Sequence, residues 1–384
     1  MPGRSPTEAK TERKRRRAAE PERVPLEANC DIDQLAHLER TLRARVQGQG
    51  EAIDALLCAC TRFVSGLRDP GRPLLTALLM GPTGVGKTET AKAIAEALFG
   101  SERAMTRVNC EEYAHGHEVA KLLGSPPGYV GHDIEPLLSQ TRIDRAHKEM
   151  LERREATAVE PRLVLDAGPG EHISVVLFDE IEKAHPTLWN ALLGILEDGM
   201  LTLGNNRTTD FTRSLILMTS NVGSQAMGAI LDDRRVGFES GLPEAPPAQV
   251  RDVALAAARE SFPPEFLNRF DEVLVYHPLE PGHLDAILDK FLGDLHRRTL
   301  VQARVPLRLR LTPGARARLV DEGTDPRFGA RPLRRVFERR LVDPVSQLLA
   351  AGALRAGDVV EVEDSGEGGL AFFRLRRSER ELVS

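Results

Sequence analysis

The sequence lacks several features that mark particular classes of protein. Its four cysteines form neither a C-x-x-C pair nor a zinc-type spacing, so we expect free thiols in a reducing compartment; they are Cys30, Cys58, Cys60 and Cys110. No apolar stretch approaches the length of a membrane span. The polar, basic N-terminus has no hydrophobic segment of the secretory type. Together these absences predict a cytoplasmic protein that does not cross a membrane.

The chain also has little net charge. It carries 52 basic and 57 acidic residues, which gives a net charge of −5. This balance does not favour a general nucleic-acid binder. At 384 residues with 41% hydrophobic residues, the chain is long enough for two packed domains.

Residues 1–35 are polar and charged, with a basic cluster at Arg13–Arg17. Like charges repel one another, so we expect a disordered basic tail. The alternative is an arm that docks on a partner or binds a polyanion.

One octapeptide matches the pattern G-x-x-x-x-G-K-[ST] without a mismatch: Gly81, Pro82, Thr83, Gly84, Val85, Gly86, Lys87 and Thr88. An apolar run precedes it and a helical pattern follows it. A glycine loop between a strand and a helix N-terminus presents backbone N–H groups to an anion. We therefore predict an ATP site in which Lys87 reaches the β- and γ-phosphates and Thr88 holds Mg²⁺. The alternative is a chance glycine turn.

Two further apolar runs end in polar residues. The run from Ile173 ends in Asp179 and Glu180, and the run from Leu215 ends in Asn221. Ligands of open α/β sheets bind at the carboxyl ends of the strands. We expect Asp179 to complete the Mg²⁺ site, Glu180 to polarise the attacking water, and Asn221 to contact the γ-phosphate or that water. Ordinary caps of the next helix or of the strand are the alternatives.

Two stretches between these strands have distinct patterns. Gly124–Gly131 is too rich in glycine and proline for a helix or central strand, so it predicts a loop presenting Tyr129, which could instead pack on the core. Glu135 to about Arg154 predicts an amphipathic helix with an apolar stripe that includes Leu138, Ile143 and Met150.

The alternation of strands and helices predicts a doubly wound α/β domain to about Tyr276. Beyond it the sequence is mostly helical, with short strand patterns at Leu307–Leu311, Val359–Val362 and Phe372–Leu375. No internal repeat is visible, so we expect one nucleotide site.

Taken together, these motifs resemble the AAA+ superfamily, and within it the second ATPase module of the Clp unfoldases such as ClpB and ClpC. The resemblance extends from about Leu42 to Val362 and rests on these stretches: Val46–Gln49, Gly81–Thr88, Gly124–Gly131, Phe178–Pro186, Met218–Asn221, Pro264–Asp271 and Gly329–Leu333. It implies an AAA+ αβα large domain at 36–276, a smaller and mostly helical lid domain at 277–364, and a terminal strand and tail at 365–384.

The resemblance also assigns roles to individual residues. It implies that Asn221 is sensor 1, Arg269 the arginine finger that enters the neighbouring subunit's site, and Arg331 sensor 2. It implies adenine contacts for Val46 and Gln47, and contacts to substrate polypeptide in a central pore for Tyr129 and Val130.

The implied function is that of an ATP- and Mg²⁺-dependent homo-oligomeric ring, expected to be a hexamer, that unfolds or remodels polypeptides. Two alternatives remain open. Val236–Phe238 resembles the tripeptide loop of Clp ATPases that feed a ClpP-like peptidase, and a switch or scaffold could use ATP occupancy to dock a partner without translocation. The segment 135–170 is longer than the family pattern, and we expect it to dock a substrate or adaptor.

Overall fold

The structure is a computed structural model. It describes residues 33–67, 69–125, 128, 134–157, 172–228, 247–325, 329–366 and 368–375. The N-terminal tail to residue 32, the residues expected to contact substrate in a pore (Tyr129 and Val130), and the tripeptide Val236–Phe238 lie outside these residues.

The large domain alternates helices with parallel strands. In chain order its elements are α1 (Asp33–Arg45), α2 (Gly50–Val64), β1 (Leu75–Met80), α3 (Lys87–Phe99), β2 (Thr106–Asn109), α4 (Gly116–Leu123), α5 (Gln140–Thr157), β3 (Ser174–Asp179), α6 (Pro186–Asp198), β4 (Met200–Thr202), β5 (Thr208–Asp210), β6 (Ser214–Ser220), α7 (Pro247–Ser261), α8 (Pro264–Leu267) and β7 (Glu272–Val275). Short 3₁₀ turns at Cys110–Tyr113 and Ile181–Lys183 follow β2 and β3.

The small domain is mostly helical. Its elements are α9 (Pro281–Val301), β8 (Arg308–Leu311), α10 (Pro313–Glu322), α11 (Arg331–Phe337), α12 (Asp343–Ala350), β9 (Val359–Asp364) and β10 (Leu370–Leu375), with a π-helical turn at Glu338–Val342 between α11 and α12. Its strands form a separate sheet in the order β10-β9-β8. The α/β fold and the helical second domain expected from the sequence are confirmed.

The five-stranded sheet of the large domain has the order β2-β3-β6-β1-β7, and all its pairs are parallel. The strands β1, β3 and β6 are buried along their whole length, as expected for apolar runs covered by helices on both faces. Because the strands are parallel, the carboxyl ends of β1, β3 and β6 lie at the same edge of the sheet. This edge carries the phosphate loop, Asp179 and Asn221.

Strand β7 has no counterpart among the sequence expectations. It is short, lies at the sheet edge beside β1, and is only partly buried. An edge strand of four residues has too little apolar periodicity to be distinguished from a loop. Its last residue is followed by Tyr276, whose backbone N–H donates to the carbonyl of Met80 at 2.7 Å.

A hairpin around Gly204 is formed by the antiparallel strands β4 and β5. Gly204 donates its N–H to the Leu123 carbonyl at 2.9 Å. A Cβ on Gly204 would lie 2.2 Å from the carbonyl oxygen of Gly124. The hairpin is therefore packed on the residues where the glycine-rich loop 124–131 begins.

Helix α5 begins at Gln140 and not at Glu135, which corrects the sequence expectation. Pro136 and the residues after it form a turn in which Ser139 donates its N–H to the Pro136 carbonyl at 3.1 Å, and the helix follows with Ile143 donating to the Ser139 carbonyl. Leu138 and Ile143 are buried in the core of the large domain, whereas Met150 is half-buried.

Helix α5 is also attached to the sheet. The N–H of Ile173, just before β3, donates to Nδ1 of His147 at 2.7 Å, and the helix packs against β3 and α3. The N-terminal part of its apolar stripe, with Ile143, therefore belongs to this chain's own core. That packing argues against the helix itself being the docking element expected in segment 135–170.

Among the described residues, no helix has the length and apolarity needed to cross a membrane.

Replacing Ile143 with Ala should destabilise the protein by about 2–4 kcal/mol, because it leaves a cavity in a packed core. Chemical unfolding followed by circular dichroism measures this change. Thr141→Ala, at an exposed position two residues earlier, is the control and should leave the unfolding midpoint nearly unchanged. An Ile143→Ala protein that unfolds like the wild type would contradict the core assignment.

Candidate nucleotide site

A cleft of about 1380 Å³ opens at the carboxyl edge of the sheet, between the large and small domains. The phosphate loop from Thr83 to Thr88 forms one wall, and helices α9 and α11 of the small domain form another. Asp179, Glu180 and Asn221 also line it. The structure thus brings the sequence-predicted phosphate and catalytic residues together, with Arg269 as the exception.

The backbone of the phosphate loop adopts conformations that glycine permits and other residues rarely adopt. Gly84 and Gly86 have φ of 76° and 113°, in the region that side chains other than glycine rarely adopt. At Gly81, with φ 142°, a Cβ would lie 2.6 Å from the Tyr276 carbonyl oxygen. The close approach of Tyr276, the residue after β7, therefore leaves no room for a side chain at Gly81.

Lys87, the first residue of α3, is 7% exposed. Its ammonium group donates to the carbonyls of Gly81 and Pro82, both at 2.6 Å, and to Oδ1 of Asn221 at 3.0 Å. Burial lowers the pKa of Lys87 to about 8, although the nearby Glu182 carboxylate opposes that shift. The loop therefore holds a desolvated cation ready to pair with an anionic ligand.

The Asp179 carboxylate is held by three side chains from three elements. Its Oδ1 accepts from the hydroxyl of Thr88 at 3.1 Å and from that of Thr219 at 2.6 Å, and its Oδ2 accepts from Arg107 at 2.5 Å. Mg²⁺ takes oxygen ligands and is often held by only one or two protein groups. The Thr88 hydroxyl and the Asp179 carboxylate are already in contact, and both are oxygen ligands of the kind that Mg²⁺ binds.

Glu180 follows β3 with φ 59°, a left-handed backbone that is uncommon for this residue type. Its Oε1 accepts from the Asn221 amide at 3.2 Å, and its Oε2 pairs with Lys183 at 2.5 Å. The left-handed turn directs the chain away from the sheet while keeping the carboxylate in the cleft.

Asn221 lies between these groups. Its side chain accepts from Lys87 and donates to Glu180, and its backbone N–H donates to Oε1 of Glu182 at 3.0 Å. An ordinary strand cap would make no side-chain bonds to the phosphate-loop lysine. The contacts therefore favour the interpretation of Asn221 as part of the site.

Val46 and Gln47 also line the cleft. Val46 is buried, and its Cγ1 is 3.5 Å from where a Cβ on Gly86 would lie. The Gln47 side chain instead turns back to the carbonyl of Arg43 at 2.9 Å. Gln49, which we did not single out from the sequence, joins this segment to His277 through two hydrogen bonds of 2.9 and 3.0 Å.

The small domain touches the phosphate loop directly. Ala330 donates its N–H to the Gly84 carbonyl at 3.0 Å. Gly329 has φ 57°, and a Cβ there would lie 2.6 Å from the Gly84 carbonyl. This contact places Arg331, the first residue of α11, in the cleft, where its charge helps to lower the pKa of Lys87.

A second link between the domains is ionic. Glu89, in the first turn of α3, pairs with Lys290 of α9 and with Arg45 of α1, the latter at 2.7 Å. All three line the cleft. The position of the small domain is therefore coupled to the helix that begins at the phosphate loop.

Arg269 does not line this cleft. It lies at a separate cavity of about 400 Å³, where its Nη1 pairs with Glu197 at 2.6 Å. Arg72 donates to the backbone carbonyl of Arg269 at 3.1 Å and pairs with Asp271 at 3.3 Å. The arginine is thus held on the surface by neighbouring residues of its own chain.

Several residues contribute to the site although the sequence pattern gave no reason to assign them a role. Arg107 and Thr219 occur inside strands, where nothing in the pattern distinguishes them from ordinary strand residues. The apolar wall of the cleft includes Leu279 and Ile287 of the small domain. Only the topology brings these residues to the phosphate loop.

Comparison with protein families gives two adjacent matches. The family described as AAA domain (Cdc48 subfamily) matches residues 72–150 and 157–273. The family described as the C-terminal, D2-small domain of ClpB protein matches residues 279–362. The two matches correspond to the large and small domains.

Among curated proteins, the chain is 39% identical over 339 residues to the negative regulator of genetic competence ClpC/MecB of Bacillus subtilis, covering 88% of this chain and 38% of that protein. It is 40% identical over 341 residues to the chaperone protein ClpB of Rhodopseudomonas palustris, covering 89% of this chain and 34% of that protein. The chain therefore spans a little over a third of the length of these relatives.

Among solved structures, a closed-state reconstruction of Hsp104 with ATPγS and FITC casein superposes with a TM-score of 0.70 at 30% identity. The match covers 89% of this chain and 52% of the Hsp104 chain.

The affinity for nucleotide should fall as the pH rises through about 8, because Lys87 binds phosphate only when protonated and its pKa is about 8. Below that pH the ammonium form predominates and affinity should be constant. Between pH 7.5 and 9 the Kd of a fluorescent ATP analogue should rise about tenfold.

Lys87→Arg is the control, because an arginine remains charged throughout this range. Its affinity, even if weaker overall, should change much less with pH. An equal pH dependence in both proteins would assign the titration to another group.

Proposed function

Because the chain belongs to the AAA+ family, with an AAA domain followed by a ClpB-type D2-small domain, we propose that it is an ATP-hydrolysing ring motor. It would unfold or remodel polypeptides by threading them through a central pore. The observation that carries the proposal is the convergence of Lys87, Asp179, Glu180 and Asn221 in one cleft that the small domain closes with Arg331.

ATP would bind with its triphosphate along the loop from Gly81 to Thr88. Backbone N–H groups at the start of α3 and the Lys87 ammonium would neutralise its charge. The apolar side chains of Val46, Leu279 and Ile287 would contact the base. In this arrangement one ligand contacts both domains, so its binding and loss would change how they pack together.

Thr88 and Asp179 are the residues that would hold Mg²⁺. Bound there, the ion would neutralise charge on the β- and γ-phosphates. Glu180 would orient and polarise the attacking water as its general base, and Asn221, hydrogen-bonded to both Glu180 and Lys87, would hold that carboxylate beside the phosphate.

Arg269 would act in the site of the neighbouring subunit. Its planar, permanently charged guanidinium suits the charge that spreads over a transferring phosphoryl group. It lies at a surface cavity away from its own cleft, which supports a role across a subunit contact. Head-to-tail contacts of this kind can close into rings, and we propose a homo-hexamer.

The relatives support a polypeptide as the substrate. The Hsp104 structure was determined with FITC casein, and related proteins are named chaperones. Others are named ATP-binding subunits of an ATP-dependent Clp protease, which keeps a peptidase or adaptor partner as the second candidate. Co-purification with a ClpP-like peptidase would favour that alternative, whereas ATP-dependent partner docking without unfolding would favour a switch.

Arg269→Ala should leave binding of the ATP analogue largely intact and lower ATP turnover about 10³-fold. Lys87→Ala should abolish binding, because the phosphates lose the ammonium group. Rings mixed from the two inactive variants should recover hydrolysis, since a Lys87→Ala subunit can still supply Arg269 to a neighbour. A phosphate-release assay over a range of mixing ratios measures the recovery.

Arg355→Ala, an exposed arginine of the small domain outside both cavities, is the control and should retain activity. Failure to recover activity at every ratio, with mixed assembly confirmed by native mass spectrometry, would argue against action in trans.

Tyr129→Ala should separate hydrolysis from unfolding. We expect ATP turnover within a few-fold of the wild type and loss of unfolding of a tagged fluorescent protein, because the aromatic contact to the polypeptide is gone. Tyr129→Phe keeps the ring and should retain both activities. If both activities fall together in Tyr129→Ala, the side chain supports the fold and does not grip substrate.

A further inference from the structure

We propose that Thr219 is a positioning residue for the hydrolytic site, acting through one buried hydroxyl that holds both Asp179 and Glu180. The inference rests on the proposed ATPase function. Thr219 lies on β6, two residues before Asn221, and its side chain does not reach the phosphate loop through any described hydrogen bond. It would act only by fixing the residues beside it.

The buried hydroxyl of Thr219 makes two hydrogen bonds. Thr219 is 1% exposed. Its Oγ1 donates to Oδ1 of Asp179 at 2.6 Å and accepts from the backbone N–H of Glu180 at 2.9 Å. A hydroxyl has a single proton to donate, so donation to Asp179 leaves its lone pairs for the N–H of Glu180.

The position of Thr219 in the sheet explains why a side chain, and not a backbone carbonyl, accepts from the Glu180 N–H. The described pairing between β3 and β6 ends at Phe178 and Met218. Asp179 and Thr219 come next, where the backbone of Glu180 turns into the left-handed region at φ 59°. The Glu180 N–H leaves the strand ladder at this turn, and the Thr219 hydroxyl accepts its hydrogen bond in place of a backbone carbonyl.

Removal of the hydroxyl would have two consequences. The N–H of Glu180 would lose its acceptor at a strained residue, so the direction of the Glu180 carboxylate would no longer be fixed. Asp179 would keep Thr88 and Arg107 but lose its shortest hydroxyl contact. Neither change touches Lys87 or the loop glycines, so binding of the triphosphate itself should persist.

The test compares Thr219→Val, which has nearly the same shape without the hydroxyl, with Thr219→Ser, which keeps the hydroxyl. Thr209 provides a matched control, because it is equally buried and its hydroxyl has no hydrogen-bond partner among the described residues. The measurements are kcat and KM for ATP, and the Kd of a fluorescent ATP analogue with EDTA and with Mg²⁺.

We expect Thr219→Val to lower kcat about 10–100-fold, as loss of a supporting hydrogen bond does at comparable sites, with KM within a few-fold. The Kd in EDTA should match the wild type, and the gain in affinity from added Mg²⁺ should shrink. Thr219→Ser should restore kcat to within a few-fold, and Thr209→Val should retain wild-type kcat.

Three results would overturn the inference: a wild-type kcat in Thr219→Val, a rise in KM without a fall in kcat, or an equal loss of kcat in the Ser and Val variants. If Thr219→Val does not fold, as judged by thermal unfolding, Thr219→Ala takes its place in the comparison with Ser. A wild-type protein that does not hydrolyse ATP would refute the proposed function instead, and the effect of Mg²⁺ on analogue binding would then decide the role of Thr219.

Discussion

The Asp179 carboxylate is the point at which three elements of the nucleotide site meet. It accepts hydrogen bonds from Arg107 on β2, Thr88 on α3 and Thr219 on β6, while it is itself the last residue of β3. A buried carboxylate is stable only with such partners. Each partner comes from a different segment, so the geometry of the site depends on correct pairing of the central strands, and a shift of register in any of them would separate these groups.

The small domain depends on the same edge of the sheet for its position. It contacts the phosphate loop through backbone atoms, with Ala330 bound to the Gly84 carbonyl and Gly329 too close to that residue to carry a side chain. The ion pair of Lys290 with Glu89, in the first turn of α3, adds a second contact between the domains. Because the contacts with the phosphate loop are made by backbone atoms, the small domain has little freedom to shift relative to that loop. A ligand that changes the conformation of the loop would therefore also change the position of the small domain.

The sequence was sufficient for the parts of the molecule whose pattern is local. The phosphate loop and the three buried strands each have a composition that permits few other structures. Helix α5 shows where this reasoning fails: it was expected from Glu135 but begins at Gln140, so Leu138 lies in the turn before it. Whether Leu138 and Ile143 face a partner or the core depends on packing against distant parts of the domain, which periodicity does not encode. Arg107, Thr219 and Glu182 were missed for the same reason, because their roles arise from neighbours that are distant in the chain.

Arg269 is far from the phosphate loop in the sequence, but the two are joined by one strand. Asp271, two residues after Arg269, accepts from both the N–H and the hydroxyl of Thr76 on β1 at 2.8 Å. Arg72, just before β1, holds the carbonyl of Arg269. Strand β1 runs from these contacts directly into Gly81. The segment that carries Arg269 therefore contacts one end of a buried strand whose other end leads into the phosphate loop, so a shift of β1 along its axis would displace both.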